Sequence, residues 1–137
     1  MASAPLRALR QPAAVPLGVG ALAATHLVLG AWIGFWPRSF FDDGLGGFGA
    51  YNAHYLGDAA AFHAGIGVAL LAALRWPALR AGTLAAAAAT LGLHAVNHWL
   101  DVGEAHRDAV GILDGASLTL LAALALALTT TAAGERS

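Results

Sequence analysis

Four long apolar stretches limit the folds open to this chain. They run over residues 15–36, 57–76, 79–100 and 109–131. Each has about the 20 residues that a helix needs to cross the roughly 30 Å hydrocarbon core of a bilayer. Only 11% of the residues are charged, against about 25% in soluble domains, and the mean hydropathy is +0.66. The sequence therefore predicts a single all-α domain, residues 1–137, folded as an antiparallel four-helix transmembrane bundle.

Composition excludes several classes of function. The chain has no cysteine, which rules out disulfides, thiolate metal ligands and iron–sulfur clusters. Its net charge of −1 gives no basic excess for binding nucleic acid. The expected partners are membrane lipid and a lipid-like small molecule, and an oligomer is left open.

The arginines predict the orientation of the chain in the membrane. Five of them lie at one end of the predicted helices: Arg7, Arg10, Arg75, Arg80 and Arg136. Arg38 and Arg107 lie at the other end. The positive-inside rule then predicts a multi-pass cell-membrane protein with both termini in the cytoplasm. The first apolar stretch is longer than the roughly 7–15 residues of a signal-peptide core, so we expect it to be an uncleaved span.

Glycines and aromatic residues predict how the helices and loops pack. Gly30-x-x-x-Gly34 and Gly111-x-x-x-Gly115 allow close helix approach, which we assign to packing within the bundle rather than to a dimer. The connection over residues 37–56 is rich in phenylalanine and tyrosine. Such a loop should cover the mouth of the bundle or lie in the membrane interface.

Ionisable residues gather at the end of the helices that is predicted to face outward. Five of the six histidines lie there: His54, His63, His94, His98 and His106. Four aspartates accompany them: Asp58, Asp101, Asp108 and Asp114. Because ionisable groups are costly inside a membrane, this one-sided set predicts a polar site in the outer half of the bundle.

The third apolar stretch carries the clearest pattern within this set. Its polar residues recur at helical spacing and form one stripe: Thr83, Thr90, His94, Asn97, His98 and Asp101. His94 and His98, four residues apart, can share one ion. If residues from Asn52 onward are helical, His54 and Asp58 also share a face, with Asn52 as the N-cap.

These pairs lead to a hypothesis of a divalent metal site, with zinc, copper or iron as the ion. We predict His54, Asp58, His94 and His98 as its ligands, with Asp101 and Asp114 orienting the imidazoles. If the protein is an enzyme, the metal would activate water or dioxygen against a lipid-like substrate. Asp114 or His63 would then carry the proton.

Two other classes of function fit the same residues. Haem binding would use single histidines on facing helices, with His26, His63 and His94 as candidates. His26 lies near the membrane midplane and should face the bundle interior. A non-enzymatic lipid-binding protein or accessory subunit is the other class. Structural interpretations also apply: His106 in the headgroup region, Asp101 and Asp108 in solvent, and His94 with His98 as packing groups.

One sequence pattern resembles a known group of proteins. It begins with Phe40-Phe-Asp-Asp, continues as Gly49-Ala-Tyr-Asn-Ala-His-Tyr-Leu-Gly-Asp58, and ends with His94-x-x-x-His98. It resembles small bacterial four-helix membrane proteins that are loosely DoxX-like, over about residues 20 to 128. Where that group suggests Pro, Glu and Arg, this chain has Ala50, Ala53 and Gly57. The resemblance implies the four-helix fold and no particular reaction. The site chemistry alone resembles the zinc site of ceramidase-like membrane hydrolases.

Overall fold

The computed structural model describes residues 13–134, and within that range the chain is helical with no β-strand. The helices are α1 Ala14–Phe35, α2 Pro37–Asp42, α3 Ala53–Arg75, α4 Arg80–Leu100 and α5 Asp108–Gly134. Two short 3₁₀ turns, Pro77–Leu79 and Val102–Glu104, precede α4 and follow it. The predictions that concern Arg7, Arg10 and Arg136 lie outside the described residues.

The four predicted apolar stretches correspond to the four long helices. By length and composition, α1, α3, α4 and α5 can each cross a membrane, which indicates a multi-pass membrane protein. The second span begins four residues earlier than predicted, at Ala53. The reason is its cap, because the Asn52 side chain accepts hydrogen bonds from the backbone N–H groups of His54 and Tyr55 at 3.0 and 3.1 Å. This confirms the predicted N-cap.

The helices form a bundle in which α1 packs mainly against α3 and α4 mainly against α5. Gly30 allows α1 and α3 to pack closely. A Cβ atom on Gly30 would lie 2.9 Å from the backbone nitrogen of Ala64 on α3. A Cβ atom on Gly111 would likewise lie only 2.7 Å from the carbonyl oxygen of Val102. Both glycines therefore act in packing within the chain, as the sequence predicts.

The long connection folds over one end of the bundle, which we call the loop end (residues 36–52 and 101–107). Phe41 is buried there and contacts the rings of Tyr51 and His106 edge to face. His106 donates its backbone N–H to the Gly47 carbonyl at 2.7 Å, and its Nε2 lies 2.7 Å from the Gly49 carbonyl. The aromatic loop therefore covers the bundle mouth, as predicted.

The opposite end, which we call the turn end, is the connection over residues 76–79. Pro77 keeps Trp76 extended (φ −122°, ψ 93°), which ends α3 and lets the chain reverse within four residues. Arg80 is buried at the start of α4, and its Nε donates to the Ala73 carbonyl at 3.2 Å. That carbonyl belongs to the last turn of α3, where the helix itself supplies no donor.

We expect Gly30→Ala to destabilise the bundle, because the added methyl group meets the backbone of α3 and not a movable side chain. Overpacking of this kind costs about 1–3 kcal/mol. Gly65→Ala is the matched control, since a Cβ atom there meets nothing within 4 Å. The free energy of unfolding in detergent should fall for Gly30→Ala and stay equal or rise for Gly65→Ala. Equal effects of the two substitutions would contradict this account of the α1–α3 interface.

Candidate functional site

A chamber of about 150 Å³ lies under the loop end, between the helices and the folded loop. Most of its wall is apolar and comes from α1, the loop, α3 and α5, for example Ile33, Phe41 and Leu118. Its polar lining comes from nine side chains: Asn52, Tyr55, His63, His94, Asn97, His98, Asp101, Asp114 and Ser117. An apolar cavity with a few polar groups is the usual form of a small-molecule site.

His98 and Asp114 are ionisable side chains in direct contact within the chamber. His98 Nδ1 on α4 lies 3.0 Å from Asp114 Oδ2 on α5, and the two side chains are only 13% and 12% exposed. A buried carboxylate needs a partner, and His98 supplies it. The contact has the distance of an ion pair without the alignment of a hydrogen bond. Among residues 13–134, His98 Nδ1 therefore has no hydrogen-bond partner.

A row of four histidines runs from this pair toward the centre of the bundle. The rings of His98 and His94 lie 4.6 Å apart, and those of His94 and His63 lie 6.4 Å apart. His63 and His26 then share a hydrogen bond of 2.9 Å between their Nδ1 atoms. With Asp114, the row takes at least one side chain from each of α1, α3, α4 and α5.

His26 ends the row in a fully buried position. This confirms that it faces the interior, as the sequence predicts. Its Nε2 has no hydrogen-bond partner among the described residues. The Nδ1 atoms of His26 and His63 bond each other at 2.9 Å, so these two nitrogens are not both available to ligate a haem iron.

Phenylalanine rings hold the histidines from the side. Phe62 contacts His63 edge to face at 5.3 Å and lies tilted over His94 at 5.9 Å. Phe48, from the loop, meets His98 edge to face at 4.7 Å. The sequence predicts neither of these contacts with histidine. The position of Phe62 directly before His63 is the only sequence signal for its contact.

The structure does not bring the four predicted metal ligands together. His94 and His98 lie in the row, but the His54 and Asp58 side chains are 91% and 72% exposed and lie 3.7 Å from each other. The reason is helical phase, because nine residues at about 100° each place His54 opposite His63. The buried face of α3 carries Leu56, Ala60 and His63. No group of three or more His, Asp or Glu side chains within residues 13–134 is arranged to hold a metal ion.

The other predicted residues divide between the chamber and the surface. His63 and Asp114, the predicted proton carriers, are both buried and line the chamber. Asp101 lines the chamber although it is largely exposed, and Asp108 begins α5, where its carboxylate meets the positive end of the helix. His106 is exposed and serves the loop through its bonds to Gly47 and Gly49.

No family model, no curated protein and no solved structure matches this chain. The resemblance to DoxX-like proteins stays a prediction, and the chemistry of the site is argued from its geometry.

The His26–His63 hydrogen bond can be tested by a double-mutant cycle. Replacing either histidine by leucine leaves the other imidazole without its buried partner, which costs about 1–3 kcal/mol beyond the change in packing. The double variant loses both polar groups and should be more stable than the sum of the single effects predicts. The free energy of unfolding in detergent is measured for the wild type, the two single variants and the double variant. Strictly additive effects would mean that the two rings do not stabilise each other.

Proposed function

We propose that this chain is a membrane protein whose chamber binds the polar end of a small, lipid-like molecule. The observation that carries the proposal is a mostly apolar cavity with the His98–Asp114 contact in its lining. The side chains of His94, Asn97 and Ser117 line the same chamber and can hydrogen-bond a polar group. A cavity of this volume suits one six-membered ring, since an apolar cavity of about 150 Å³ binds benzene.

In the proposed arrangement the four long helices run antiparallel across the bilayer, with the loop end outside and both termini in the cytoplasm. Support comes from the arginines of the sequence, because this arrangement puts five of them in the cytoplasm (Arg7, Arg10, Arg75, Arg80 and Arg136) and only Arg38 and Arg107 outside. The chamber then lies in the outer half of the membrane. A molecule with an apolar tail reaches it from the lipid, and Asp114 and His63 are the groups that exchange a proton with it.

A divalent metal site is the second candidate. It is favoured by the contact of His94 with His98 and by the position of Asp114 beside His98, because carboxylates commonly orient metal-ligating histidines. The ligands would be drawn from His63, His94 and His98, with Asp114 orienting His98, since His54 and Asp58 lie on the opposite face of α3. These side chains would have to move to reach a common centre, because no three of them are arranged around one within residues 13–134.

The chamber proposal predicts that Asp114→Asn loses the bound molecule. Loss of one charged hydrogen-bonding group costs about 1.5–3 kcal/mol, which corresponds to a tenfold or greater loss of affinity. Protein purified in mild detergent is extracted, and its small molecules are identified by mass spectrometry. The matched control is Asp58→Asn, which removes an exposed carboxylate at the same end. Ser117→Leu narrows the chamber without changing a charge and should also reduce retention.

Metal analysis and a visible spectrum of the same samples separate the candidates. Stoichiometric zinc, copper or iron that is lost in His94→Ala and His98→Ala would favour the metal site, and a Soret band would favour haem. An organic molecule that is lost in Asp114→Asn and kept in Asp58→Asn supports the chamber proposal. Wild-type protein that carries no such molecule, or equal retention in both variants, would refute it.

The orientation predicts which loops are accessible from outside the cell. Because the chain has no cysteine, Asp43→Cys and Ala78→Cys each introduce a unique thiol, at the loop end and at the turn end. A membrane-impermeant maleimide should label Cys at position 43 in intact cells and Cys at position 78 only after permeabilisation. The reverse pattern would invert the proposed orientation and move the chamber to the cytoplasmic half.

A further inference from the structure

A second cavity lies between α3 and α4, in the half of the bundle next to the turn end. It is an open groove of about 650 Å³, with Ile66 and Ala69 on one wall and Gly82, Ala86 and Thr90 on the other. Thr90 donates its hydroxyl to the Ala86 carbonyl at 2.7 Å, so its polar atom is already satisfied. A Cβ atom at Gly82 would meet nothing within 4 Å. The groove therefore presents small, apolar walls to the membrane.

The length of the groove limits what can occupy it. On α4 it extends from Leu79 to Thr90, which is eleven residues or about 16 Å at 1.5 Å per residue. Half of a hydrocarbon core of about 30 Å is one leaflet. Toward the loop end the gap is crossed by Phe62 and His63, which contact His94. A spanning helix would need a groove along the whole length, whereas an acyl chain needs one leaflet only.

The turn end, next to the groove, carries groups suited to a lipid headgroup. Arg75 is the last residue of α3, is exposed, and has its Cζ atom 5.9 Å from the ring of Trp76. Tryptophan side chains favour the membrane interface. Arginine binds phosphate through charged hydrogen bonds. Ala78 and Leu79, which follow within four residues, line the groove itself.

We propose that the α3–α4 groove binds one acyl chain of an anionic phospholipid from the leaflet at the turn end, with Arg75 binding its phosphate. The site is separate from the chamber and does not depend on the chamber's ligand. It fills the gap that the weak α3–α4 contact leaves in the turn half of the bundle.

Native mass spectrometry of the delipidated full chain, titrated with phosphatidylglycerol or phosphatidylcholine in detergent, tests the site. Wild-type protein should hold one phosphatidylglycerol per chain in preference to phosphatidylcholine. Gly82→Leu fills the groove and should lower phosphatidylglycerol binding at least about fivefold. The matched control is Gly92→Leu, on the same helix at a position that is equally open and outside the groove. Ala69→Leu fills the groove from the other wall and serves if Gly82→Leu does not fold.

The headgroup contact is tested by Arg75→Gln. One arginine near a membrane surface contributes roughly 1 kcal/mol, so the preference for phosphatidylglycerol should fall about fivefold. Arg38→Gln, at the loop end, should leave that preference unchanged. Wild-type binding in both groove-filling variants would overturn the proposal. It would also be overturned if those variants changed the oligomeric state while lipid binding stayed constant, because the groove would then hold a helix of a second copy.

Discussion

The cost of leaving a polar group without a partner in an apolar interior is the constraint on which this structure depends. In each of the two closely packed helix pairs, a buried polar side chain of one helix contacts a polar side chain of the other. His26 on α1 bonds His63 on α3, and His98 on α4 lies against Asp114 on α5. These are the same two helix pairs that pack most closely. Each closely packed helix pair therefore contains one buried polar contact, and the contacts of Phe62 and His63 with His94 join one pair to the other.

The features that the sequence could predict are those set by neighbours in the chain. Hydropathy over about 20 residues located the four long helices. Asn52 marked the start of α3 because an N-cap acts within three residues. Gly30 pointed to a close helix contact because its lack of a side chain matters wherever another backbone approaches. The aromatic composition of residues 37–56 indicated a loop that stays on the bundle, where Phe41 is buried.

The features that escaped prediction depend on which helix lies beside which and on how each helix is rotated. His54 and Asp58 share a face of α3, as their spacing suggests, but that face is exposed. Helical phase separates His63 from the face of His54 and Asp58, but it does not say which of the two faces is buried. No local pattern could pair His26 with His63, which lie 37 positions apart. The sequence predicts that Asp114 orients an imidazole, but only the packing of α4 on α5 identifies that imidazole as the one of His98.

The polar stripe of α4 lines two different cavities beside α3. Near the loop end, its residues His94, Asn97 and His98 line a chamber that the aromatic loop covers, so the water-poor surroundings strengthen their hydrogen bonds and electrostatic interactions. Toward the turn end, Thr83 and Thr90 line an open groove, and Thr90 turns its hydroxyl back to its own helix. The gap between α3 and α4 thus contains two compartments. The one at the loop end is polar, because ionisable side chains line it and the aromatic loop covers it. The one toward the turn end is apolar, because alanine and glycine line most of it. The boundary between the two is Phe62, His63 and His94, since these are the side chains that cross the gap.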